Sequence, residues 1–284
     1  MKRVLRWVAF LLAGLVALLL LAYATVYVLS ARELARTYPI PDSTVTVPAG
    51  PVAIAEGKRL ATIRGCDGCH RLNFEGEVFF DQPSIARIIA PNLSKLLPAY
   101  SDAELERVIR HGIARDGRPV VIMPSSMLAG LSDADLGAII AYLRTVPPVD
   151  HELPASRIGP MARLGIVLGK YHTEPSVIDH TARHPAAAPS ADRLAWGKYL
   201  AETSCRECHG LDLRGDPDGG TPSLAMAAAY SDSAFRQFFK TGRALGGREL
   251  ELMSEVARRR FSNFTDAEVG ALHAYLTTLA TPQP

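Results

Sequence analysis

Two pentapeptides, Cys66-Asp67-Gly68-Cys69-His70 and Cys205-Arg206-Glu207-Cys208-His209, repeat one pattern and together contain all four cysteines of the chain. Two thiols three residues apart can add across the two vinyl groups of a single porphyrin. The adjacent histidine then lies under the iron as its proximal ligand. The pattern therefore predicts two covalently bound haem c groups, with His70 and His209 as metal ligands.

Other uses of paired cysteines fit this pattern less well. A redox disulfide is expected at a strand-to-helix junction and does not require a histidine after the second cysteine. A zinc site shared by both pairs would need them close in space and would leave the two histidines unexplained. We therefore favour haem attachment over both alternatives.

The first thirty residues predict a membrane anchor. Three basic residues within the first six precede an apolar run from Trp7 to Leu29, about the length that crosses a hydrocarbon core as a helix. A cleaved signal peptide has a shorter apolar core, so we expect this helix to be retained. The positive-inside rule then predicts a single-pass protein of the inner (cytoplasmic) membrane whose remaining residues face the periplasm. Haem c is attached in that same compartment.

Behind the anchor, the sequence repeats itself. Residues 101–118 align without a gap with residues 231–248, and residues 131–143 align with residues 264–276. An internal repeat of this size indicates two similar units. We expect a transmembrane anchor at 1–30, a juxtamembrane segment at 31–50, a first domain at 51–148, a linker rich in proline, alanine and histidine at 149–190, and a second domain at 191–284.

Local signals predict that both units are helical. Ser101 with Glu104 and Thr265 with Glu268 have the spacing of a capping box, which marks a helix start. Apolar residues then recur at helical spacing, and few segments alternate between apolar and polar residues. We therefore expect an all-α fold with little or no sheet.

On these motifs, each unit resembles a class I cytochrome c domain, and the anchored tandem is similar to membrane-anchored dihaem cytochromes c. The resemblance covers roughly residues 50–148 and 190–281. It implies that the first helix of each unit crosses the last helix beside the haem, with a glycine of one meeting an aromatic residue of the other. Gly57 with Tyr142 and Gly197 with Tyr275 fit those roles.

The sixth ligand of each iron is predicted to be a methionine. Met123 and Met253 occupy equivalent positions of the gapless repeat and follow the proximal histidines by 53 and 44 residues. A thioether ligand stabilises ferrous haem and raises its reduction potential. Met123 is followed by Pro124, which gives the Met-Pro pair common at this site in the family. The second unit departs from that pattern with Ser254.

The resemblance also implies residues that support the haems. A proline carbonyl after the haem motif accepts a hydrogen bond from the proximal imidazole, which orients the ring and increases its basicity. Pro91 and Pro222 are predicted to supply that carbonyl. Arg118 and Arg248, at matching places before the methionines, are predicted to contact haem propionates.

The predicted function is electron transfer, with no bond-making chemistry by this chain itself. With a net charge of only +2, the chain has no excess of basic residues of the kind that binds nucleic acid, and we expect no nucleic-acid partner. We expect single electrons to pass from a membrane dehydrogenase or quinol-oxidising complex towards a terminal oxidase or a soluble cytochrome. Two alternatives remain: a dihaem cytochrome c peroxidase, which needs one haem with an open or histidine-occupied distal site, and an obligate cytochrome subunit of an oxidase or of an alcohol or sugar dehydrogenase.

Overall fold

The fold is all-α apart from one small sheet, in a computed structural model that describes residues 1–39, 43, 45–216 and 220–281. Parts of the predicted juxtamembrane segment and of the second domain therefore lie outside the described residues. The α-helices are α1 (Lys2–Leu34), α2 (Pro51–Arg64), α3 (Cys66–His70), α4 (Leu93–Leu96), α5 (Asp102–His111), α6 (Ser125–Leu128), α7 (Asp133–Leu143), α8 (Pro160–Val167), α9 (Arg193–Glu202), α10 (Arg206–His209), α11 (Asp232–Thr241), α12 (Leu252–Arg259) and α13 (Asp266–Thr278). Short 3-10 helices cover Leu97–Ala99, Glu174–Val177, Leu224–Ala229, Leu245–Gly247 and Phe261–Asn263.

The predicted anchor forms a single long helix, α1. Within the described part of the chain, it is the one helix long and apolar enough to cross a membrane, with a mean hydropathy of 2.5 over its most apolar stretch. None of that stretch is buried inside the protein. The length and composition of α1 are therefore those of a membrane-spanning helix.

The predicted helix starts of both units are present, and glycines end the helix before the predicted distal methionine in each unit. Ser101 and Thr265 each close a capping box with the glutamate three residues later, which satisfies two otherwise unpaired backbone donors at the start of α5 and α13. Gly112 and Gly242 end α5 and α11 in the left-handed conformation, where a residue without Cβ is favoured. The sequence signals therefore locate these helices correctly.

The first and last helices of each unit cross at a glycine, as the resemblance implies. A Cβ added to Gly57 of α2 would lie 1.8 Å from the carbonyl oxygen of Ala138 in α7. A Cβ on Gly197 of α9 would lie 2.1 Å from the equivalent oxygen of Ala271 in α13. Tyr142 and Tyr275 flank these two contacts. Each crossing is thus close enough to exclude any larger residue at the glycine.

A three-stranded antiparallel sheet in the first unit was not expected from the sequence. Strand β1 (Glu77–Gln82) pairs with β2 (Ala86–Ala90), and β2 pairs with β3 (Arg157–Ile158). Every second residue of β2 is buried, which is the pattern of a strand with one face on the core. The alternating pattern of β2 is only five residues long, and the third strand of the sheet comes from the predicted linker. Neither feature gives a strong signal in the sequence.

The two units have different cores. The core of the first is mainly aliphatic and includes Leu60, Leu136 and Ile139. The core of the second contains a cluster of five phenylalanines, at positions 235, 238, 239, 261 and 264. Ile63 of α2 is fully buried in this second core, although it belongs to the first unit. The two cores therefore meet across a packed interface.

Equivalent positions of the two units make reciprocal contacts across this interface. Arg59, two residues after the crossing glycine of α2, forms two hydrogen bonds with the Glu268 carboxylate at 2.8 and 2.9 Å. Tyr199, two residues after the crossing glycine of α9, donates to Asp135 Oδ2 at 2.6 Å. Glu268 and Asp135 both occupy the third position of the last helix of their unit. The repeat in the sequence thus becomes an approximate twofold relation in the interface.

Candidate functional site

A cavity of about 440 Å³ opens beside the first pentapeptide. Its volume lies within the range of roughly 300–1,000 Å³ that is typical of cofactor sites. Cys66, Cys69, His70 and Met123 line it, together with a largely apolar wall. The predicted attachment cysteines and both predicted iron ligands of the first unit are therefore brought to one cavity.

The His70 ring is held in the orientation that the resemblance implies. Its Nδ1 lies 3.0 Å from the carbonyl oxygen of Pro91, and since a carbonyl can only accept, Nδ1 carries the proton. Burial lowers the pKa of His70, against the smaller opposite effect of the Pro91 carbonyl. The ring is therefore neutral at physiological pH and leaves Nε2 with a lone pair, the form in which imidazole binds a metal ion.

The second unit repeats this geometry. Nδ1 of His209 lies 2.8 Å from the carbonyl oxygen of Pro222, and the ring is buried. Its Nε2 is also buried and has no hydrogen-bond partner among the described residues. A buried polar nitrogen without a partner is costly unless a bound group satisfies it. This orphaned Nε2 fits a haem iron as its missing partner.

Two glycines that our sequence reasoning did not identify allow these proline carbonyls to approach. Gly76 and Gly215 each follow their histidine by six residues, and both have positive φ, at 76° and 88°. A Cβ would lie 2.6 Å from the carbonyl carbon of Pro91 at Gly76, and 2.7 Å from that of Pro222 at Gly215. The equal spacing from histidine to glycine was the available signal.

The two attachment motifs lie close to one another. Glu207 of the second motif lines the cavity of the first unit. A Cβ on Gly65, the residue before Cys66, would lie 2.5 Å from the guanidinium carbon of Arg260 in the second unit. Burial raises the pKa of the free thiols of Cys66 and Cys205 to about 12, so both are neutral before attachment.

The two predicted distal methionines have different surroundings. Met123 lies just before α6 and lines the cavity of the first unit. Met253 is the second residue of α12 and packs against the core of the second unit. Met127, four residues after Met123, is buried in the first core. Iron ligation by Met123 and Met253 stays a prediction.

The two arginines predicted to contact propionates, and His111, are not among the residues that line the cavity. The Arg118 side chain is exposed, pairs with Asp116 and is not among the residues that line the cavity. Arg248 is likewise exposed, and its Nε donates to the carbonyl oxygen of Leu245 at 3.3 Å. Their contacts with propionates remain predictions. His111, the last residue of α5, contacts His180 of the predicted linker, with 3.0 Å between their Nδ1 atoms.

Comparison with known proteins identifies the fold of both units. The family model described as "Cytochrome c" matches residues 54–147 and 194–280, which together make up more than half of the chain. Each match begins just after the start of the first helix of its unit and ends just after the last helix. Both attachment motifs lie within the matched segments.

Curated relatives include cytochrome subunits of several dehydrogenases. The chain is 26% identical to the fructose dehydrogenase cytochrome subunit of Gluconobacter japonicus, over 80% of this chain and 52% of that protein. It is 25% identical to the alcohol dehydrogenase (quinone) cytochrome c subunit of Gluconacetobacter polyoxogenes, over 84% of this chain and 58% of the relative. It is 26% identical to the gluconate 2-dehydrogenase cytochrome c subunit of Pantoea cypripedii, over 81% of this chain and 60% of that protein. The chain thus spans less than two thirds of the length of these relatives.

Proposed function

Because the chain belongs to the cytochrome c family, we propose that it is a membrane-anchored dihaem cytochrome that carries single electrons on the periplasmic side of the inner membrane. One observation supports the proposal more than any other. In both units a cysteine pair is followed by a histidine whose Nδ1 is fixed by a proline carbonyl, at 3.0 Å in the first and 2.8 Å in the second. That leaves Nε2 of each ring for an iron.

His70 and Met123 would hold the iron of the first unit, and His209 and Met253 that of the second. Haem iron supplies reversible one-electron oxidation and reduction. The chain's own contribution is to keep the ligands fixed. The proline carbonyls orient the imidazoles, and the thioethers favour the ferrous state. The apolar wall of the first cavity, with residues such as Leu97 and Ile139, excludes water.

The names of the relatives favour one setting for this chemistry. The three proteins described above are cytochrome subunits of fructose, alcohol and gluconate dehydrogenases. We therefore place this chain as the cytochrome subunit of a dehydrogenase complex, rather than as a free carrier or a peroxidase. It would accept electrons from the catalytic subunit and deliver them towards a terminal oxidase or a soluble cytochrome.

Haem content tests the proposed cofactor number. The full chain, produced in a host that attaches haem c, is expected to contain two haems by the pyridine haemochrome assay. Replacing Cys66 and Cys69 by alanine should remove one haem, and replacing Cys205 and Cys208 should remove the other. A single haem in the unmodified chain would contradict the proposal.

Orientation and setting need separate measurements. In intact spheroplasts, an added protease should digest the haem units, whereas inverted vesicles should protect them. Native sizing after mild detergent extraction from the source organism should show a particle larger than the chain alone, with a dehydrogenase catalytic subunit in it. A particle of the size of one chain would favour a free carrier.

A further inference from the structure

Helix α8 presents an apolar face that no part of the described protein covers. Met161, Leu164, Leu168 and Tyr171 recur at intervals of three and four residues along and just beyond this helix. They are 60%, 45%, 63% and 57% exposed. Four large apolar side chains on one side of a short segment form a contiguous surface rather than scattered exposure. We call these four residues the α8 apolar face.

The position of α8 against α1 places this face at the end of the membrane helix. The guanidinium of Arg163 stacks on the ring of Tyr27 at 4.1 Å from its centre, and its Nη1 donates to Ser30 Oγ at 3.0 Å. Ser30 directly follows Leu29, the last residue of the apolar run. The anchor therefore holds α8 at the depth where the hydrocarbon core meets the lipid headgroups.

The composition of the segment suits that depth. Arg163 and Lys170 supply cations beside the apolar face, the combination found in helices that lie in a membrane interface. Tyrosine is enriched at this level because its ring has an apolar body and a polar end. The Tyr171 ring packs on α8 so closely that a Cβ on Gly165 would lie 2.3 Å from it.

We propose that the α8 apolar face inserts into the headgroup region of the bilayer that α1 spans. The proposal rests on the membrane anchoring in the proposed function. Its consequence concerns the first haem unit. The Met161 amide donates to the carbonyl oxygen of Ser84 at 2.9 Å, and β3 precedes α8 directly in the chain. Contact of α8 with lipid would therefore fix the orientation of the first unit and its cavity above the membrane.

A fluorescent label on α8 tests this insertion. Haem attachment consumes all four native cysteines, so Leu164→Cys provides a unique thiol for bimane. Leu252→Cys, at an exposed leucine of α12, is the matched control. Both full-length holoproteins are reconstituted into phosphatidylethanolamine and phosphatidylglycerol vesicles, with or without brominated acyl chains. We expect at least a twofold loss of emission by brominated lipid at position 164 and none at position 252.

Each other outcome has a defined meaning. Quenching of the Leu164→Cys label by aqueous iodide instead of brominated lipid would overturn the proposal. A label protected from both quenchers would show that protein covers the face, and would overturn it as well. Release of the chain from vesicles by carbonate would refute the anchoring itself. If Leu164→Cys does not assemble with two haems, Leu168→Cys on the same face replaces it.

A second inference concerns two arginines that lie between the attachment motifs. The guanidinium of Arg260, from the second unit, donates from Nε and Nη2 to the carbonyl oxygen of Ile63 at 3.2 and 3.1 Å. The side chain of Arg64 is fully buried, with its nearest carboxylate, Asp135, at 3.8 Å. None of its three nitrogens has a hydrogen-bond partner among the described residues.

Both arginines lie where the two units meet beside the attachment motifs. Burial is the largest influence on the thiols of Cys66 and Cys205 and raises the pKa of each. Arg260 and Arg64 both oppose that rise at both cysteines. The contacts agree with this: Arg64 lines the first cavity and lies 6.0 Å from the centre of the Tyr199 ring of the second unit, and Arg260 packs against Gly65, directly before Cys66. Charges at such a buried contact are poorly screened by water. We call Arg64 and Arg260 the cationic junction.

The geometry points to the cationic junction as a shared tuning element of the two proposed haems. A buried positive charge disfavours the more positive ferric state, so the junction raises the reduction potential of both groups at once. These arginines are positioning residues, since they act through the electrostatic field and carry no electrons. The inference rests on the proposed presence of two haems.

Potentiometric titration of Arg64→Met tests the junction. We expect both midpoint potentials to fall, each with about a tenfold shift of the reduction equilibrium, which corresponds to about 59 mV for one electron. Arg64→Lys should restore most of the loss because it keeps the charge. Arg258→Met, at an exposed arginine of the same unit, is the control and should leave both potentials unchanged.

Haem content separates the possible failures. A chain that never holds two haems contradicts the proposed function. Two haems with unchanged potentials in Arg64→Met, or a shift at one haem alone, would overturn the shared junction. If Arg64→Met does not fold, Arg260→Met tests the same charge from the other unit with the same expected fall.

Discussion

The two units of this protein share one arrangement on the proximal side and differ on the other sides of the haem motif. In both units, a histidine, a glycine six residues later and a proline carbonyl form the same hydrogen-bonded turn. The proline follows that glycine by 15 residues in the first unit and by seven in the second. The longer connection forms β1 and β2, which wall the first cavity. The spacing from histidine to glycine is thus the same in both units, whereas the connection from that glycine to the proline differs in length.

The predicted distal loops are both held by a buried serine, but the serine lies at a different position after the methionine in each unit. Ser125, two residues after Met123, donates to the carbonyl oxygen of Val108 at 2.9 Å. Ser254, directly after Met253, donates to the carbonyl oxygen of Gly242 at 2.5 Å. Both serines are fully buried and tie the loop to the end of the preceding helix. A buried serine thus holds the loop in both units, whereas the Met-Pro pair occurs only in the first.

Replacing the methionines is the largest test of this equivalence. Met123→Ala and Met253→Ala should each abolish one of the two Met-to-ferric absorption bands and lower one midpoint potential. We expect a fall of a few tenths of a volt, since axial ligands set haem potentials over about 0.8 V. Redox titration with spectra of the oxidised protein measures both effects.

The matched control for the methionines is Met127→Ala, at a buried methionine of the first core. It should lower stability but leave both bands and both potentials in place. If either Met123→Ala or Met253→Ala behaves like this control, the two units do not share His/Met ligation and the comparison between them fails.

The helix crossings should respond alike in the two units. Gly57→Ala and Gly197→Ala each place a methyl group within about 2 Å of a backbone oxygen of the last helix. A backbone atom cannot move aside easily, so we expect each change to lower the free energy of unfolding by about 3 kcal/mol. Urea titration of the full chain in detergent measures it. Gly14→Ala in the anchor is the control, because an added Cβ there would have no described atom within 4 Å apart from the neighbouring backbone of its own helix.

The helices and the proximal turns could be predicted because their causes are local. A capping box, an apolar stripe or a Cys-x-x-Cys-His pentapeptide specifies its structure within a few residues. The hydrogen bond from each proximal histidine to a proline carbonyl was predicted from family resemblance. The structure contains it at Pro91 and Pro222. The glycines that make room for it have equal spacing from the two histidines, but the sequence alone does not show that a carbonyl approaches them or that their φ is positive.

The interface and the sheet could not be predicted because they depend on contacts between distant segments. Arg59 and Glu268 are 209 residues apart, and nothing in either segment indicates the pairing. The predicted linker also proved to be folded onto the first unit: it supplies β3, and the amide of Asp133 donates to the carbonyl oxygen of Pro185 at 2.9 Å. Proline-rich composition indicates an irregular backbone but does not distinguish free segments from packed ones.

The reciprocal interface contacts should differ in strength. Arg59 binds Glu268 through two charged hydrogen bonds, and Glu268 is nearly buried. Arg59→Met removes the charged partner of that carboxylate and leaves only its capping-box hydrogen bonds from Thr265, and we expect a loss of about 2 kcal/mol. Tyr199→Phe removes the hydroxyl that donates to Asp135 and should lower the free energy of unfolding by about 1 kcal/mol. Equal losses, measured by urea unfolding, would contradict this ranking.

The smallest expected difference concerns acid sensitivity, which only the first unit should show. His111 ends α5, and the equivalent position of the second unit is Thr241. Burial lowers the pKa of His111 to about 4, with smaller contributions from His180 and His184 and from Arg110 and Arg107. Its Nδ1 lies 3.0 Å from Nδ1 of His180, so one of the two facing nitrogens must be unprotonated.

The sign of the pH effect follows from this depressed pKa. Below the unfolded value of about 6.5, the unfolded chain binds a proton at His111 that the folded chain rejects down to about pH 4. Stability therefore falls as the pH drops through this window. We expect about 1 kcal/mol between pH 7 and pH 5, after allowance for partial hydration. Urea unfolding at both pH values measures the loss of unfolding free energy between pH 7 and pH 5. This loss should be smaller for His111→Gln than for the unmodified chain. The control His172→Gln, at an exposed histidine, should leave the loss unchanged. If His111→Gln has the same pH dependence as the unmodified chain, the contact between His111 and His180 is not the cause of the acid sensitivity.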